Sequence, residues 1–189
     1  MVAMWTRMEE RYAGWQEDLP PDSDWPAFFA EYPAPDFEAI PDAIEIAAGA
    51  QVWSGRRDDP LPGAPAGAHI CRAFEGIQPE EVRVMVPGED PYAALERATG
   101  CAFEDGIADA AGGALRPAPR NLGKSARAPA GGGQKGPACP PRPGRAAAIR
   151  AHFDSIRDQV ALFVNTSWTF TMTDDDHKAA HMTLWQPVT

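Results

Sequence analysis

Proline and glycine recur so often in this chain that only a few segments can form regular structure. The 189 residues include 20 prolines and 17 glycines, and both residue types interrupt helices and strands. From Gly112 to Gly144 the sequence is low in complexity, so we expect little regular structure there. A second break, DDPLPGAPAGA at 58–68, predicts a boundary between an N-terminal helical extension (1–65) and an α/β domain (66–189).

The N-terminal segment carries apolar residues at helical spacing. Trp5, Met8, Tyr12 and Trp15 predict an amphipathic helix that ends before Pro20. Two further helices are predicted, a short one that starts near Ser23-Asp24 and another that covers Asp36 to Ala48. Such an aromatic stripe is more typical of core packing than of cofactor binding.

The second part of the chain alternates between strand and helix patterns. Val82–Val86 predicts a buried strand, 91–99 a short helix closed by Gly100, and ALFVN at 161–165 another strand. Before that strand, the spacing of the apolar residues predicts a core-facing helix with Ile149, Phe153, Ile156 and Val160 on one face. This order favours a layered α/β fold with a parallel sheet.

Polar residues follow both predicted strands. Glu89 and Asp90 come after Pro87-Gly88 at the end of the first strand, and Asn165 ends the second. Ligands bind outside the carboxyl ends of parallel strands, so the fold would bring these side chains into one cleft.

Charge is unevenly distributed along the chain. The net charge is −10, which argues against a nucleic-acid partner. However, residues 111–150 contain no acid and hold Arg116, Arg120, Lys124, Arg127, Lys135, Arg142, Arg145 and Arg150. This basic, low-complexity loop (111–145 and the residues after it) is either a phosphate-contacting surface or a solvated linker.

Several classes of site and location are disfavoured by the sequence. No run of 18 apolar residues occurs, and the N-terminus lacks the apolar region of a secretory signal, so we expect a cytoplasmic protein without a membrane span. Cys71, Cys101 and Cys139 match neither a disulfide framework nor a zinc or iron–sulfur pattern. Asp174–His177 suits a solvated loop better than a metal site, so neither a metal nor a cofactor is expected.

Four ordered motifs over about 66–189 resemble the family 1 uracil-DNA glycosylases. G-E-D-P-Y at 88–92 is similar to the family's G-Q-D-P-Y, and Gly100–Phe103 to its G-[LI]-[AS]-F. Arg116–Leu122 is similar to a proline-rich segment ending in Ser-Leu, and Phe163–Thr166 to L-L-N-T. His181 and Trp185 resemble a His and a Trp that follow in the family.

The resemblance implies a three-layer α/β/α fold with a central, mostly parallel sheet. It implies a DNA glycosylase of base excision repair that hydrolyses the N-glycosidic bond of deoxyuridine, with uracil-containing DNA as its partner and without a metal or cofactor. Asp90 would position the attacking water and stabilise positive charge on the sugar. The implied uracil contacts are Gly88, Glu89, Tyr92, Phe103 and Asn165, and the implied phosphate contacts are Arg116, Arg120 and Asn121.

The resemblance implies a role for each of the uracil contacts. Tyr92 would lie against C5 of the base, where a thymine methyl would clash, and Phe103 would stack on the base. Asn165 would pair with N3–H and O4, and the backbone N–H groups of Gly88 and Glu89 would approach the base.

The chain departs from the family at Glu89, where the family has Gln, and at Ala93, where many members have His or Pro. The family also continues with more sheet and helix and a His-Pro-Ser-Pro segment, so the resemblance predicts a domain that is incomplete at its C-terminus. The alternative is a catalytically impaired remnant that binds DNA or a protein, for example through 116–150 or the N-terminal aromatic helix.

Overall fold

The computed structural model describes residues 1–107 and 160–189. Short 3-10 turns connect several of its elements. In chain order, the helices and strands are β1 (Val2–Ala3), α1 (Met4–Tyr12), α2 (Trp25–Phe29), β2 (Glu45–Ile46), β3 (Val84–Gly88), β4 (Ala161–Asn165) and α3 (Asp175–Trp185). These elements form a mixed α/β structure with one small parallel sheet, and none of the described helices is long and apolar enough to cross a bilayer.

The N-terminal helix forms where the sequence predicts it. In α1, Met4, Met8 and Tyr12 are four residues apart, so they lie on one face, and all three are fully buried. Trp15 does not extend α1, because the chain tightens into a 3-10 turn at Trp15–Asp18. The second predicted helix is confirmed as the short α2.

The third predicted helix, over Asp36 to Ala48, is wrong. This segment contains a 3-10 turn at Phe37–Ala39, and its Asp36 carboxylate accepts a hydrogen bond from Ala39 N (3.1 Å). Pro41 lacks the N–H that a continuing helix would need. The chain instead extends into β2, which pairs antiparallel with β1.

The parallel sheet consists of β3 and β4 in the described residues. The two strands pair in register from Val84 opposite Ala161 to Gly88 opposite Asn165, so both end at the same level. Both strands were predicted, but β3 runs to Gly88 rather than to Val86. The prediction that this strand is buried is also wrong, because Val84 and Met85 are each 54% exposed. The third layer of the predicted three-layer arrangement is not seen in the described residues.

The helix predicted over 91–99 is reduced to a 3-10 turn at Leu95–Arg97. The turn stops because Ala98 forms a β-bridge with Asp105, and Arg97 pairs with the buried Asp105 carboxylate. The helix predicted before β4 lies outside the described residues, apart from Val160, and so does the low-complexity segment.

An aromatic cluster joins the two ends of the chain. Trp15 packs edge-on against Trp168, with ring centroids 4.9 Å apart, and against Trp185 at 6.1 Å. Trp168 and Trp185 stack at 5.0 Å, and all three rings are buried. The first 65 residues therefore share a core with the segment that follows β4, and the boundary near residue 65 stays a prediction.

Candidate functional site

A cavity of about 240 Å³ lies at the carboxyl ends of β3 and β4. Residues from three separate parts of the chain line it: 88–93, 98–103 and Asn165. Asp90 and the five residues predicted to contact the base are all among them, namely Gly88, Glu89, Tyr92, Phe103 and Asn165. The expectation of a shared cleft at the strand ends agrees with this arrangement, whereas the roles of the residues remain predictions.

Gly88 is required by the close approach of the two strand ends. Gly88 and Asn165 are register partners, and a Cβ atom on Gly88 would overlap the Asn165 Oδ1 atom and lie 2.9 Å from the Ala102 Cβ. A glycine here therefore allows the Asn165 amide to sit directly beside the β3 backbone.

The Asn165 side chain is buried but lacks a protein partner among the described residues. Asn165 is 5% exposed, and its amide makes no hydrogen bond with another described side chain or backbone group. Because Asn165 lines the cavity, its donors and acceptor are available to a molecule bound there.

The segment after β4 anchors the backbone of the G-E-D-P-Y motif. Thr166 N donates to the Gly88 carbonyl and Ser167 N to the Glu89 carbonyl, both at 2.9 Å. The Thr166 hydroxyl also donates to the Glu89 carbonyl at 2.9 Å. These bonds fix the backbone at the end of β3, and Asp90 follows directly on the cavity wall.

Tyr92 and Phe103 on the cavity wall are held by hydrogen bonds and by the local backbone conformation. Trp53 Nε1 donates to the Tyr92 carbonyl at 2.9 Å, and the Tyr92 hydroxyl donates to the Phe103 carbonyl at 3.4 Å. Phe103 has a φ of 64°, in the left-handed region that side chains other than glycine rarely adopt. Such a conformation persists only where the surroundings impose it, and the Ala98–Asp105 bridge clamps this loop.

Asp90 is a half-buried carboxylate with a cationic partner. Its side chain is 21% exposed, and Lys178 Nζ of α3 lies 3.3 Å from its Oδ2 atom. Burial raises the pKa of Asp90 above its usual value, and the adjacent Lys178 opposes this rise by favouring the charged form. The net direction is upward because the desolvation effect is the larger of the two.

The start of α3 corrects the expectation of a solvated loop at Asp174–His177. Asp174 is the N-cap of α3, and its carboxylate accepts a hydrogen bond from His177 N at 3.2 Å. Acidic residues in a first helical turn also suit the helix dipole. Within residues 1–107 and 160–189, no group of three His, Cys, Asp or Glu side chains is arranged to hold a metal ion.

His181 is buried in α3 and is not a loop histidine. Its two ring nitrogens lie 2.9 Å from the hydroxyls of Thr169 and Thr171, and Trp185 Nε1 donates to the same Thr169 hydroxyl. Burial lowers the pKa of His181 to about 3. With both nitrogens occupied and no place on the cavity wall, His181 supports the packing of α3 rather than the site.

Two residues that contact the site residues were missed by the sequence analysis, Lys178 and Trp53. Lys178 could have been found from the cap pattern Asp174-Asp175-Asp176 followed by Ala180, Leu184 and Trp185 at helical spacing, which is typical of a helix start. Nothing local in the sequence indicates Trp53, because its contact with Tyr92 joins residues that are distant along the chain. The predicted phosphate contacts Arg116, Arg120 and Asn121 lie outside the described residues.

A larger cavity of about 460 Å³ lies elsewhere, against α1. Charged side chains line it, and Arg56 pairs there with the buried Asp18, while Arg11 pairs with Asp59. None of the predicted site residues that the structure describes lies on its wall. The smaller cavity at the strand ends is therefore the candidate site.

No protein-family model and no curated protein matches the chain. Among solved structures, it is similar to the wild-type UNG from Nitratifractor salsuginis, with 21% identity and a TM-score of 0.38 over 61% of this chain and 53% of that chain. A mutant of the same UNG matches with 20% identity and a TM-score of 0.37. The chain spans about half the length of these structures, and so partial a likeness assigns no activity to it.

Proposed function

We propose that the cavity at the strand ends binds a uracil base and that the chain hydrolyses the N-glycosidic bond of deoxyuridine in DNA. The observation that carries this proposal is the meeting of three chain segments at one cavity. The G-E-D-P-Y motif, Phe103 and Asn165 were singled out from three separate sequence motifs, and they line the same 240 Å³ space.

The proposed reaction requires one carboxylate and one water molecule. The water oxygen forms a bond to C1′ of the sugar, the C1′–N1 bond breaks, and its electron pair leaves on the uracil. Asp90 positions the water and stabilises the positive charge that develops on the sugar. The proton lost by the water passes to the carboxylate or to solvent, and the uracil anion takes a proton from solvent.

Base recognition is assigned to the other walls of the cavity. The Asn165 amide, which has no protein partner in the described residues, would pair with N3–H and O4 of uracil. Phe103 would stack on the base, and Tyr92 would exclude a thymine methyl. A target nucleotide must leave the base stack to enter such a cavity.

Phosphate contact by Arg116, Arg120 and Asn121 is part of the same proposal. Replacing all three with alanine should weaken DNA binding for every sequence alike and flatten the dependence of affinity on salt. An unchanged salt dependence would remove these residues from the proposed interface.

The test is base release from single-stranded oligonucleotides that carry one deoxyuridine, one deoxycytidine or one thymidine at the same position. A single strand avoids the energy of unpairing the target base. The proposal predicts release of uracil alone. DNA binding without release of any base would contradict catalysis and favour the alternative of a DNA-binding module.

A further inference from the structure

The Lys178 ammonium group bridges two acids at the rim of the cavity. Its Nζ atom lies 2.9 Å from Glu89 Oε1 and 3.3 Å from Asp90 Oδ2. In the part of the chain that the structure describes, Lys178 is the one cation paired with either acid. Lys178 is also on α3, far from the G-E-D-P-Y motif in sequence, so this contact joins the motif to a separate element.

The neighbouring residue on α3, His177, helps to fix the position of Lys178. His177 Nε2 lies 2.9 Å from the carbonyl oxygen of Glu45 in β2, and its Nδ1 pairs with the Asp174 carboxylate. These contacts tie the first turn of α3 to the small antiparallel sheet. The lysine therefore projects from an anchored turn toward the cavity.

The contact with Lys178 compensates for the proximity of the two carboxylates of Glu89 and Asp90. Two neighbouring carboxylates disfavour each other's charged form, and partial burial of Asp90 adds to that effect. A cation in contact with both carboxylates offsets the repulsion and holds Asp90 in one orientation. Glu89 is 64% exposed and Asp90 21% exposed, so the more buried acid depends more on this cation.

We propose that Lys178 is a positioning residue that keeps the Asp90 carboxylate ionised and oriented beside the cavity while it neutralises Glu89. This inference rests on the proposed function, since it assigns a role around the proposed catalytic group. It also accounts for a glutamate next to that group. Lys178 offsets one of the two negative charges that Glu89 and Asp90 place here, so it lessens their repulsion of a DNA phosphate.

The charged groups that face Asp90 determine in which direction its titration should shift. Among the described residues they are Glu89 in the motif and Lys178 on α3. The hydrogen bond to Glu89 raises the pKa of Lys178 above its usual value, so the lysine stays protonated at neutral pH. Loss of Lys178 would remove the opposing effect, and Asp90 would take up a proton at a higher pH.

The test compares Lys178→Met, Lys178→Arg and Arg83→Met with the parent. Arg83 is exposed and outside the cavity, so its replacement removes the same charge without touching the site. The first measurement is the pH titration of the Asp90 side-chain carboxyl by carbon NMR in protein labelled at aspartate. The second is the pH profile of uracil release from the single-stranded substrate.

Lys178→Met should move the Asp90 titration and the acidic limb of the rate profile to higher pH and slow uracil release about tenfold, the effect expected for a lost charged hydrogen bond. Lys178→Arg should keep most of the parent's Asp90 titration and rate of uracil release. Arg83→Met should change neither the titration nor the rate. An Asp90 titration that Lys178→Met leaves unmoved overturns the inference. If the parent releases no uracil, the proposed function fails, but the NMR titration still decides the role of Lys178.

Glu89→Gln provides a second variant in case Lys178→Met does not fold. Removal of this acid leaves Lys178 with Asp90 as its sole carboxylate partner in the described residues, so Asp90 should titrate at lower pH than in the parent. A titration that stays in place or moves to higher pH overturns the inference.

Discussion

Gly88 and Asn165 face each other across the last rung of the parallel pair, and each depends on the other. The glycine leaves the space that the amide fills, and the amide lies close to a backbone that a side chain would push away. At the residue scale, this contact lies at the cavity, which both residues line. A change of one methyl group at position 88 therefore tests whether the geometry is needed.

Gly88→Ala should destabilise the protein by about 1–3 kcal/mol and reduce uracil release, because the added methyl overlaps Asn165 and Ala102. Urea unfolding and base release measure the two effects. Gly49→Ala is the matched control, since a Cβ atom at Gly49 meets nothing within 4 Å. Equal stability of the two variants would contradict the packing described for the strand ends.

Tyr92→Ala should release thymine as well as uracil from the matched oligonucleotides. The reason is steric, because the ring that would occupy the space beside C5 of the base is gone. Tyr92→Phe keeps the ring and should still reject thymine. A Tyr92→Ala variant that releases uracil but not thymine would show that another group excludes the methyl.

At the element scale, the structure agrees with the sequence where the signal is local. The alternation in β3, the apolar run in β4 and the spacing in α1 are each contained in one short stretch, and all three elements form. The failures have distant causes. The Arg97–Asp105 pair and the Ala98 bridge end the turn in 91–99, and pairing with β1 draws residues 45–46 into a strand.

The candidate site was predictable to a similar extent. The motif residues and Asn165 could be placed at strand ends because parallel strands end on one side of a sheet. The left-handed backbone at Phe103 and the bridge from Lys178 could not, since both depend on contacts between elements. Recognition of the Asp174 cap would have supplied α3, but not the direction of its lysine.

Buried His181 on α3 makes the stability of the protein depend on pH. Its pKa in the folded protein is about 3, below the usual value of 6.5, so the unfolded chain binds a proton first as the pH falls. The stability is complete above about pH 6.5 and is lost progressively below it, by about 3 kcal/mol at pH 4. His181→Gln should remove this part of the decline in thermal or urea unfolding.

His177→Gln is the control, because protonation of His177 affects the stability of the fold in the opposite direction to protonation of His181. The pKa of His177 is raised, because its bonds to Asp174 and the Glu45 carbonyl outweigh burial, so its protonation stabilises the fold at low pH. This variant should therefore lack the gain in stability that the parent acquires as the pH falls from the raised pKa to about 6.5, and below that pH its curve should run parallel to that of the parent. Parallel pH curves for the parent and His181→Gln would contradict a neutral, buried His181.

At the scale of the whole molecule, the aromatic cluster of Trp15, Trp168 and Trp185 predicts that the first 65 residues and the segment after β4 unfold together. Trp15→Ala should cost about 3–5 kcal/mol, because it leaves a cavity beside the stacked rings of Trp168 and Trp185. Phe28→Ala is the control, since Phe28 is 40% exposed. Tryptophan fluorescence and far-ultraviolet circular dichroism should give one coincident transition.

Two separate transitions, or a Trp15→Ala variant as stable as Phe28→Ala, would show that the N-terminal segment is an independent unit. That outcome would support the predicted domain boundary near residue 65. A single transition would instead make the N-terminal segment part of the scaffold that supports the cavity, through the contact between Trp53 and Tyr92.

The role of Asp90 in catalysis is tested by the rate of uracil release from a single-stranded oligonucleotide by the parent and by Asp90→Asn. Asp176→Asn, an exposed acid outside the cavity, controls for the change of charge. The account predicts release by the parent and by Asp176→Asn, and a loss of at least about 100-fold in Asp90→Asn. Equal rates in the parent and Asp90→Asn, or no release by folded parent protein, would contradict it.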